Sequence, residues 1–427
     1  MRSNAMRAVV QAYLAARWRR HTLRNRKAVC DYQDSQLRRL TRRATSELPF
    51  YHTYAGQRFE SLPIIDKDLL LANFSSLNRA GLRLEAVREA LALGQERLDG
   101  RIIGMSTGTS GNRGYYVISD AERFVWLGTI LAKTLPDALW RKHRVALALP
   151  ALSDLYSSAT LGSRISLQFF HLAQGPEAWI DDLLRFAPDT IVAPPKVLRW
   201  MAERGQLTAS NIFSGAEVLD ELDRQIIENA TGRTVRQIYM ATEGLFGVSC
   251  PHGTVHLAED VVHFEYGAPI SGSTLVSPIV TDFTRREQGL IRYRMNDLFE
   301  LDDRPCPCGS AYQAVRRIEG RCDDAFLLAD RSGVLQLVTP DIVRNAVVDA
   351  DPVIDDFRII QMGPATIVVH LREGLPDAID GKVKAGLDAA LARRGLVAGI
   401  AVQRGIALDF TRKLRRVCRE WRDTDQP

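Results

Sequence analysis

Three groups of residues in this 427-residue chain have types and spacings that could do chemistry. The first is Ser106-Thr107-Gly108-Thr109-Ser110-Gly111-Asn112-Arg113-Gly114, which packs glycines and hydroxyls into nine residues. Glycines let the backbone approach an anion and turn its N–H groups inward, and hydroxyls add donors to phosphate oxygens. The Walker pattern is absent, and strand-like sequence flanks the loop on both sides (101–104 and 115–119), so this is not the usual P-loop. A turn-rich hairpin loop would have the same composition. The second group is acidic and sits in short motifs: Ser214-Gly215-Ala216-Glu217, Ala241-Thr242-Glu243-Gly244 and Asn296-Asp297. Glu243 could instead neighbour a helix cap, and Asp297 could be a turn residue. The third is Cys306-Pro307-Cys308-Gly309, a tight turn with two thiols, with Cys250, His252 and His256 upstream. Two thiolates on one turn plus a Cys/His pair could complete a tetrahedral structural Zn²⁺ site, although the spacing is not the common Cys-x2-Cys. Buried reduced cysteines are the alternative.

The elements that must position these residues are legible as alternating apolar runs and helical patterns. Residues 6–47 read as helix, ended by Pro49, and another helix is predicted around 67–74. Buried strands are predicted at 144–149, 190–193, 211–213 and 236–240, with helices at 196–204 and 219–230 between them. Strand and helix in alternation predict a parallel-rich sheet with flanking helices, an α/β fold. Ser214–Glu217 and Ala241–Gly244 follow two of these strands, at the edge where open α/β sheets bind ligands. Beyond Asp323 the texture changes to a small α+β unit, with strands at 357–361 and 367–371 and a helix at 378–393. The expected division is residues 1–322, including a basic helical region over 1–75, and 323–427.

Composition narrows the classes. The chain is 46% hydrophobic and 25% charged, as expected of a globular protein, and no apolar run is long enough to span a bilayer. Six cysteines without an export signal read as reduced thiols or metal ligands, so a cytoplasmic location is expected. The net charge of +5 is concentrated near the N-terminus. No aromatic ladder interleaves with that charge, so it reads as a solvated helix face, not a nucleic-acid surface.

Taken in order, the loop at Ser106, Ser214–Glu217, Ile238–Gly244, Ile291–Leu298 and Ile318–Asp324 resemble the motifs of the acyl-adenylate-forming (AMP-binding) superfamily. Residues 36–51, ending in LPFYH, and Leu62-Pro63-Ile64-Ile65-Asp66-Lys67 resemble its phenylacetate-CoA ligase branch. The resemblance implies a large adenylation domain and a small mobile C-terminal domain. It implies that Ser106, Thr107, Gly108, Thr109, Ser110 and Gly111 wrap the ATP β- and γ-phosphates. Gly215, Ala216, Glu217 and Tyr239 would frame the adenine, Thr242 would contact the α-phosphate and Glu243 would help hold Mg²⁺. Asp297 would bind the ribose hydroxyls, Arg321 would lie near ribose and phosphate, and Asp323 would be the hinge. Lys413 is the best match to the lysine that bridges substrate carboxylate and α-phosphate, the alternative being one more charge on a basic helix with Arg412, Arg415 and Arg416. A Cys/His set like Cys250, His256, Cys306 and Cys308 occurs in the same branch, which favours Zn²⁺ and His256 over His252. Arg113 stands where the family usually has Lys, a customary loop Pro is missing, and Asn296 replaces a Gly.

The implied activity is ATP-dependent activation of a carboxylic acid, aryl or medium acyl, with transfer to a thiol of coenzyme A or of carrier-protein phosphopantetheine. Such an acid needs an apolar pocket, for which Pro150–Ser158, Pro194-Pro195 and 239–246 are the expected walls, with Tyr156, Phe169, Phe170 and Phe246 as lining candidates. An adenylating amide synthetase, a non-catalytic nucleotide-binding protein on the same fold and, more distantly, a zinc-bearing nucleic-acid binder remain alternatives. Partners would be a small-molecule acid and an acyl carrier protein, and a homodimer is compatible with the chain.

Overall fold

The computed structural model describes residues 2–106, 113–150, 164–270, 273–406, 409–410 and 413–421. The predicted N-terminal helix is two helices, α1 (Arg2–Thr22) and α2 (Arg26–Glu47). Asn25 breaks them by capping α2, its side chain accepting from the Ala28 amide at 2.9 Å. Helix α3 (Lys67–Ala72) is capped in the same way by Asp66, and α4 (Leu84–Ala92) follows. Strands β1 (Arg97–Leu98), β2 (Arg101–Met105) and β3 (Tyr115–Ile118) form a small antiparallel sheet. A helix that the sequence reading did not anticipate, α5 (Asp120–Thr134), begins at a capping box between Ser119 and Glu122. It packs against α1 so closely that a Cβ on Gly128 would meet the Val9 carbonyl oxygen at 2.4 Å.

The central sheet then assembles from β4 (His143–Leu149), β5 (Ile165–His171), α6 (Ile180–Phe186), β6 (Thr190–Ala193), α7 (Pro195–Glu203), β7 (Asn211–Ser214), α8 (Glu221–Thr231) and β8 (Val235–Ala241). Strands β4 to β8 pair in parallel, and β4, buried on both faces, has the continuous apolar sequence such strands need. The sheet continues in antiparallel fashion through β9 (Gly244–Ser249), β10 (Val255–Leu257), β14 (Asp297–Asp302) and β15 (Ala314–Arg321), nine strands in all. Between β10 and β14 the chain forms β11 (Val262–Tyr266), β12 (Pro278–Asp282) and β13 (Tyr293–Arg294), a separate three-stranded sheet. The fold is therefore α/β with a mixed sheet, half parallel and half antiparallel.

The C-terminal unit has its own core, built from residues between Phe326 and Val417. Hairpin β16 (Phe326–Ala329) and β17 (Leu335–Val338) leads to α9 (Pro340–Val348). A four-stranded sheet follows, with β18 (Phe357–Gly363), β19 (Thr366–Leu371), β20 (Gly399–Arg404) and β21 (Val417–Arg419), and α10 (Ala378–Ala392) lies before β20. Among the described residues no helix is long and apolar enough to cross a membrane.

The basic N-terminal region is more than a solvated face. Arg26 donates both guanidinium nitrogens to buried Glu259 at 2.6 and 2.7 Å. Arg19 and, from α5, Lys133 meet buried Asp260 at 3.4 and 2.6 Å. Part of the positive excess thus ties α1, α2 and α5 to the turn after β10.

Candidate active site

The candidate residues converge where the parallel strands end and the antiparallel half of the sheet begins. The two ends of the 106–114 loop are pinned together: the Ser106 amide donates to the Gly114 carbonyl at 2.8 Å, and the Gly114 amide to the Ser106 hydroxyl at 2.8 Å. Ser106 Oγ therefore closes the loop between β2 and β3. Thr107, Gly108, Thr109, Ser110 and Gly111 lie outside the described residues. Arg113 is exposed, and its guanidinium lies 3.4 Å from Met105 Sδ.

Glu243 and Thr242 form the turn between β8 and β9, and Asp297 and Arg321 face each other across the β14–β15 pairing. The Tyr239 hydroxyl donates to Asp297 Oδ2 at 2.8 Å, leaving Oδ1 for a ligand. Its ring is buried against Phe246 and Phe299. Tyr293 donates to Glu243 Oε1 at 3.4 Å. Burial pushes both carboxyls above their usual range; Asp297 adds to the rise at Glu243, Arg321 opposes it there, and Tyr239, Arg321 and Lys413 oppose it at Asp297. Paired acids held up by burial ionise readily once a cation arrives. Asn296 donates to Asp323 at 2.6 Å, so the expected hinge residue is tied to the strand that carries Asp297.

Lys67 was not singled out for chemistry from sequence. Ile65 exchanges two backbone hydrogen bonds with β13 (Ile65 N to Arg292 O, 2.9 Å; Arg294 N to Ile65 O, 2.7 Å), and this fixes the start of α3 beside the site. Burial lowers the Lys67 pKa in a field shared with Glu243, Arg321 and Asp323. Its Cε would lie 3.9 Å from a Cβ built on Gly114. A lysine is thus at the foot of the loop, supplied from outside the loop sequence.

Lys413 arrives from the C-terminal unit. Its side chain keeps solvent exposure; desolvation at the site and Arg321 pull its pKa down, while Glu217, Asp297 and Glu243 act in the opposite sense. Glu217 itself is buried and pairs with buried Lys196 of α7 at 3.0 Å. Ala216, just before it, takes a left-handed φ of 67° in the tight turn after β7. Thr411 and Arg412 lie outside the described residues. On one side of Lys413, Phe410 packs edge-on against Trp200 of α7. On the other, buried Arg416 donates to Asp223 at 2.6 Å and also pairs with Asp356. Arg344 of α9 forks onto Asp220 at 2.7 and 2.9 Å. The first turn of α8 thereby grips two arginines of the C-terminal unit. Asp220 and Asp223 have no motif around them, so nothing local in the sequence marks them.

An apolar cavity of about 250 Å³ opens beside Lys413, between α5 and one face of β4 to β8. Pro150 and Met240 line it, as expected for those segments. None of the expected aromatics is among the described lining side chains; the aromatic ring there is Phe213. Phe170 packs on Trp179 on the other side of the sheet, at 5.4 Å between rings, and Phe246 packs on Tyr239 and Phe264 in the core of the antiparallel half. Phe169 lies on the cavity face of β5 with Ile165 and Leu167 and packs in the same core as the wall, although it is not itself among the lining side chains, and Tyr156 lies outside the described residues. Alternation along β5 and β9 sends Phe170 and Phe246 into neighbouring cores.

At the far end of β9 and β10, Cys250, His256, Cys306 and Cys308 bring one ligand atom each within 4.8 Å of one another. Cys250 and Cys306 sulfurs are 3.7 Å apart, close to the edge of about 3.8 Å that a tetrahedron with Zn–S bonds of about 2.3 Å requires. His256 Nε2 lies 3.2 Å from Cys308 Sγ, and Nδ1 meets the Tyr312 carbonyl at 3.0 Å, which aims Nε2 inward. His252 is exposed and outside the cluster.

This architecture is the fold of the acyl-CoA- and acyl-adenylate-forming ligases. The chain is similar to 2-hydroxyisobutyryl-CoA ligase in its postadenylation state, with a TM-score of 0.66 and 18% identity over 94% of this chain and 91% of that one. Against the same ligase with 2-HIB-AMP and CoA in the thioesterification state, the TM-score is 0.52 at 19% identity over 94% and 92% of the two chains. ATP-bound MatB from Rhodopseudomonas palustris gives a TM-score of 0.51 and 19% identity over 70% of this chain and 63% of that one. No family model and no curated protein matches the chain in sequence.

Proposed function

We propose that the chain activates a carboxylic acid with ATP and then passes the acyl group to a thiol. The observation that carries this reading is Lys413, held by the C-terminal unit among Arg321, Glu217, Asp297 and Glu243 at the mouth of an apolar cavity. In the first step the substrate carboxylate attacks the α-phosphorus and pyrophosphate leaves. A carboxylate is already a nucleophile, so no general base is required. Charge neutralisation on the phosphates is. Lys413 supplies it between carboxylate and α-phosphate, and Lys67 and the 106–114 loop supply it on the pyrophosphate side. Asp297, with Oδ2 already served by Tyr239, receives the ribose hydroxyls through Oδ1. Glu243 would hold Mg²⁺, a hard cation suited to its oxygens, which would neutralise phosphate charge. In the second step a thiol of coenzyme A or of a carrier protein attacks the acyl carbon, its proton is lost to solvent and AMP leaves. Lys413 has then done its work, and a turn of the C-terminal unit about Asp323 clears the way.

The cysteine and histidine cluster fits a structural Zn²⁺ with Cys250, His256, Cys306 and Cys308 as ligands. Four protein ligands leave no open position, so the ion would brace the fold and take no part in the chemistry.

ATP–pyrophosphate exchange across a panel of carboxylic acids tests the central reading. Acid-dependent exchange is expected. Tight ATP binding without exchange for any acid would instead favour a non-catalytic nucleotide-binding protein.

A further inference from the structure

We infer that Lys196 and Glu217 are positioning residues for adenylation. As one buried ion pair they hold the chain on either side of Lys413, the ammonium at the Asp409 carbonyl and the carboxylate at the Leu414 amide. This rests on the adenylation reading, because delivery of Lys413 to the phosphates is what the pair would control.

Nothing local calls for a lysine at the start of α7. Lys196 follows Pro195 in the first turn, where the helix macrodipole disfavours a cation. Its side chain is 2% exposed and that of Glu217 4%, with 3.0 Å between Nζ and Oε1. Taking two charges out of water costs more than their attraction returns unless further hydrogen bonds satisfy them. The left-handed φ of 67° at Ala216, rare for an alanine, turns the chain after β7 and brings Glu217 to α7. Further partners come from the C-terminal unit. Lys196 Nζ donates to the Asp409 carbonyl at 3.0 Å, and Leu414 offers its backbone amide to Glu217. Burial pushes the Glu217 carboxyl up, while Lys196, the Leu414 amide and Lys413 pull it down.

Both contacts to the C-terminal unit are to backbone, cation to carbonyl and anion to amide. They follow the course of the chain and not its side chains, and with Lys413 between them they set where it lies. The same helix extends the grip. Arg199 donates to the Asp355 carbonyl at 2.8 Å, and Phe410 meets the Trp200 ring edge-on at 6.4 Å between centroids. Residues three and four apart share a helix face, so Lys196, Arg199 and Trp200 form one bed for the C-terminal unit. When that unit turns away, the pair loses the Asp409 carbonyl and the Leu414 amide together. It is complete only while Lys413 is in place.

The test uses the full chain, pyrophosphate exchange with the best acid of the panel, and thioester formation from the matching preformed acyl-AMP and coenzyme A. Lys196→Met keeps the stem and removes the charge. It should lower kcat for exchange about tenfold or more, the scale of losing one charged hydrogen bond, with the KM for ATP within about twofold. The loss in thioester formation should be smaller by about fivefold or more. Phe410→Ala, outside the ion pair, should lower exchange about threefold to tenfold with the same imbalance. Joined to Lys196→Met it should add little, since both loosen one anchor. If Lys196→Met alone does not fold, Lys196→Met with Glu217→Gln removes both buried charges, a change that buried pairs tolerate, and the same ratio of losses is read. Should wild type form no thioester with coenzyme A, kcat against the KM for ATP decides. Equal losses in the two half-reactions, a raised KM for ATP in place of a lowered kcat, or a lower Tm with exchange unchanged overturns the inference and leaves adenylation standing. Absence of exchange by the wild-type chain with every acid removes the adenylation reading, and this inference with it.

Discussion

Replacing Asp223 with asparagine should separate the two half-reactions. Asp223 is 1% exposed, and its Oδ1 receives Arg416 at 2.6 Å and Arg199 at 3.1 Å. Arg416 lies three residues beyond Lys413, so the bond spans the two units at the point where the lysine is delivered. Asparagine keeps the shape and removes the charge. A hydrogen bond to a charged group is worth about 1.5–3 kcal/mol, and the loss falls on the docked arrangement, since Arg416 is hydrated when the unit swings away. That corresponds to a fall of about tenfold to a hundredfold in pyrophosphate exchange. Thioester formation from preformed acyl-AMP does not need Lys413 in place and should stay within about twofold of wild type. The pH dependence has a definite sign. Burial works against ionisation of Asp220 and Asp356. The guanidiniums of Arg344 and Arg416 at Asp220, and of Arg416 and Arg358 at Asp356, nonetheless hold both below the usual carboxylate range. A depressed carboxyl stabilises above its unfolded pKa and stops doing so as pH falls through its folded value. The grip is therefore complete above about pH 4, and the ratio of variant to wild-type exchange should be constant between about pH 6 and 8. Equal losses in both half-reactions would show that Asp223 only supports the fold, and unchanged exchange would show that the arginine grip does not position Lys413.

The remaining predictions concern single groups. Lys413→Ala should lower exchange by about a hundredfold to a thousandfold, the scale of losing one transition-state donor, while sparing thioester formation from acyl-AMP; equal loss of both would refute its role. Asp297→Ala should weaken ATP binding about tenfold or more in calorimetry, and unchanged affinity would remove the ribose assignment. Lys67→Ala should raise the KM for ATP by about tenfold with little effect on the KM for the acid, and the reverse pattern would move Lys67 away from the phosphates. Purified protein should contain about one equivalent of zinc, and chelation should lower its Tm; less than about half an equivalent would count against the site.

Much of the parallel half of the sheet was legible because its strands are continuous apolar runs that need no partner to be recognised. β4 at 143–149 and β6 at 190–193 fall within a residue of their expected bounds. The motif residues at strand ends were legible because they cluster locally. What escaped depends on distance or on facing. Helix α5 carries a readable start, Ser119 with Glu122, and an apolar stripe at Leu127, Leu131 and Leu135, although it follows directly on the strand-like run after the loop. Lys67 lies some forty residues before the loop it neighbours, and only the pairing of Ile65 with β13 brings it there. Aromatic residues were named as cavity lining by type alone. The parity of β5 and β9, which sends Phe170 and Phe246 elsewhere, needed a sheet to define its faces.

Cys250 ends the strand that begins next to Glu243, and Cys306 and Cys308 lie in the connection between the strands that carry Asp297 and Arg321. The sulfur cluster and the acids thus occupy opposite ends of the same ribbon, about 23 Å apart along β9. In an antiparallel ribbon a slip of one residue turns every side chain to the other face. β14 and β15 already contain two irregular steps, at Leu298/Phe299 and Glu300/Leu301, where such a slip would start. A Zn²⁺ held at the far end would fix the count of residues between that cluster and the edge that carries the acids. Asp297 and Arg321 would then inherit their orientation from a fixture remote from them, like the teeth of a zip whose alignment is decided at the pin.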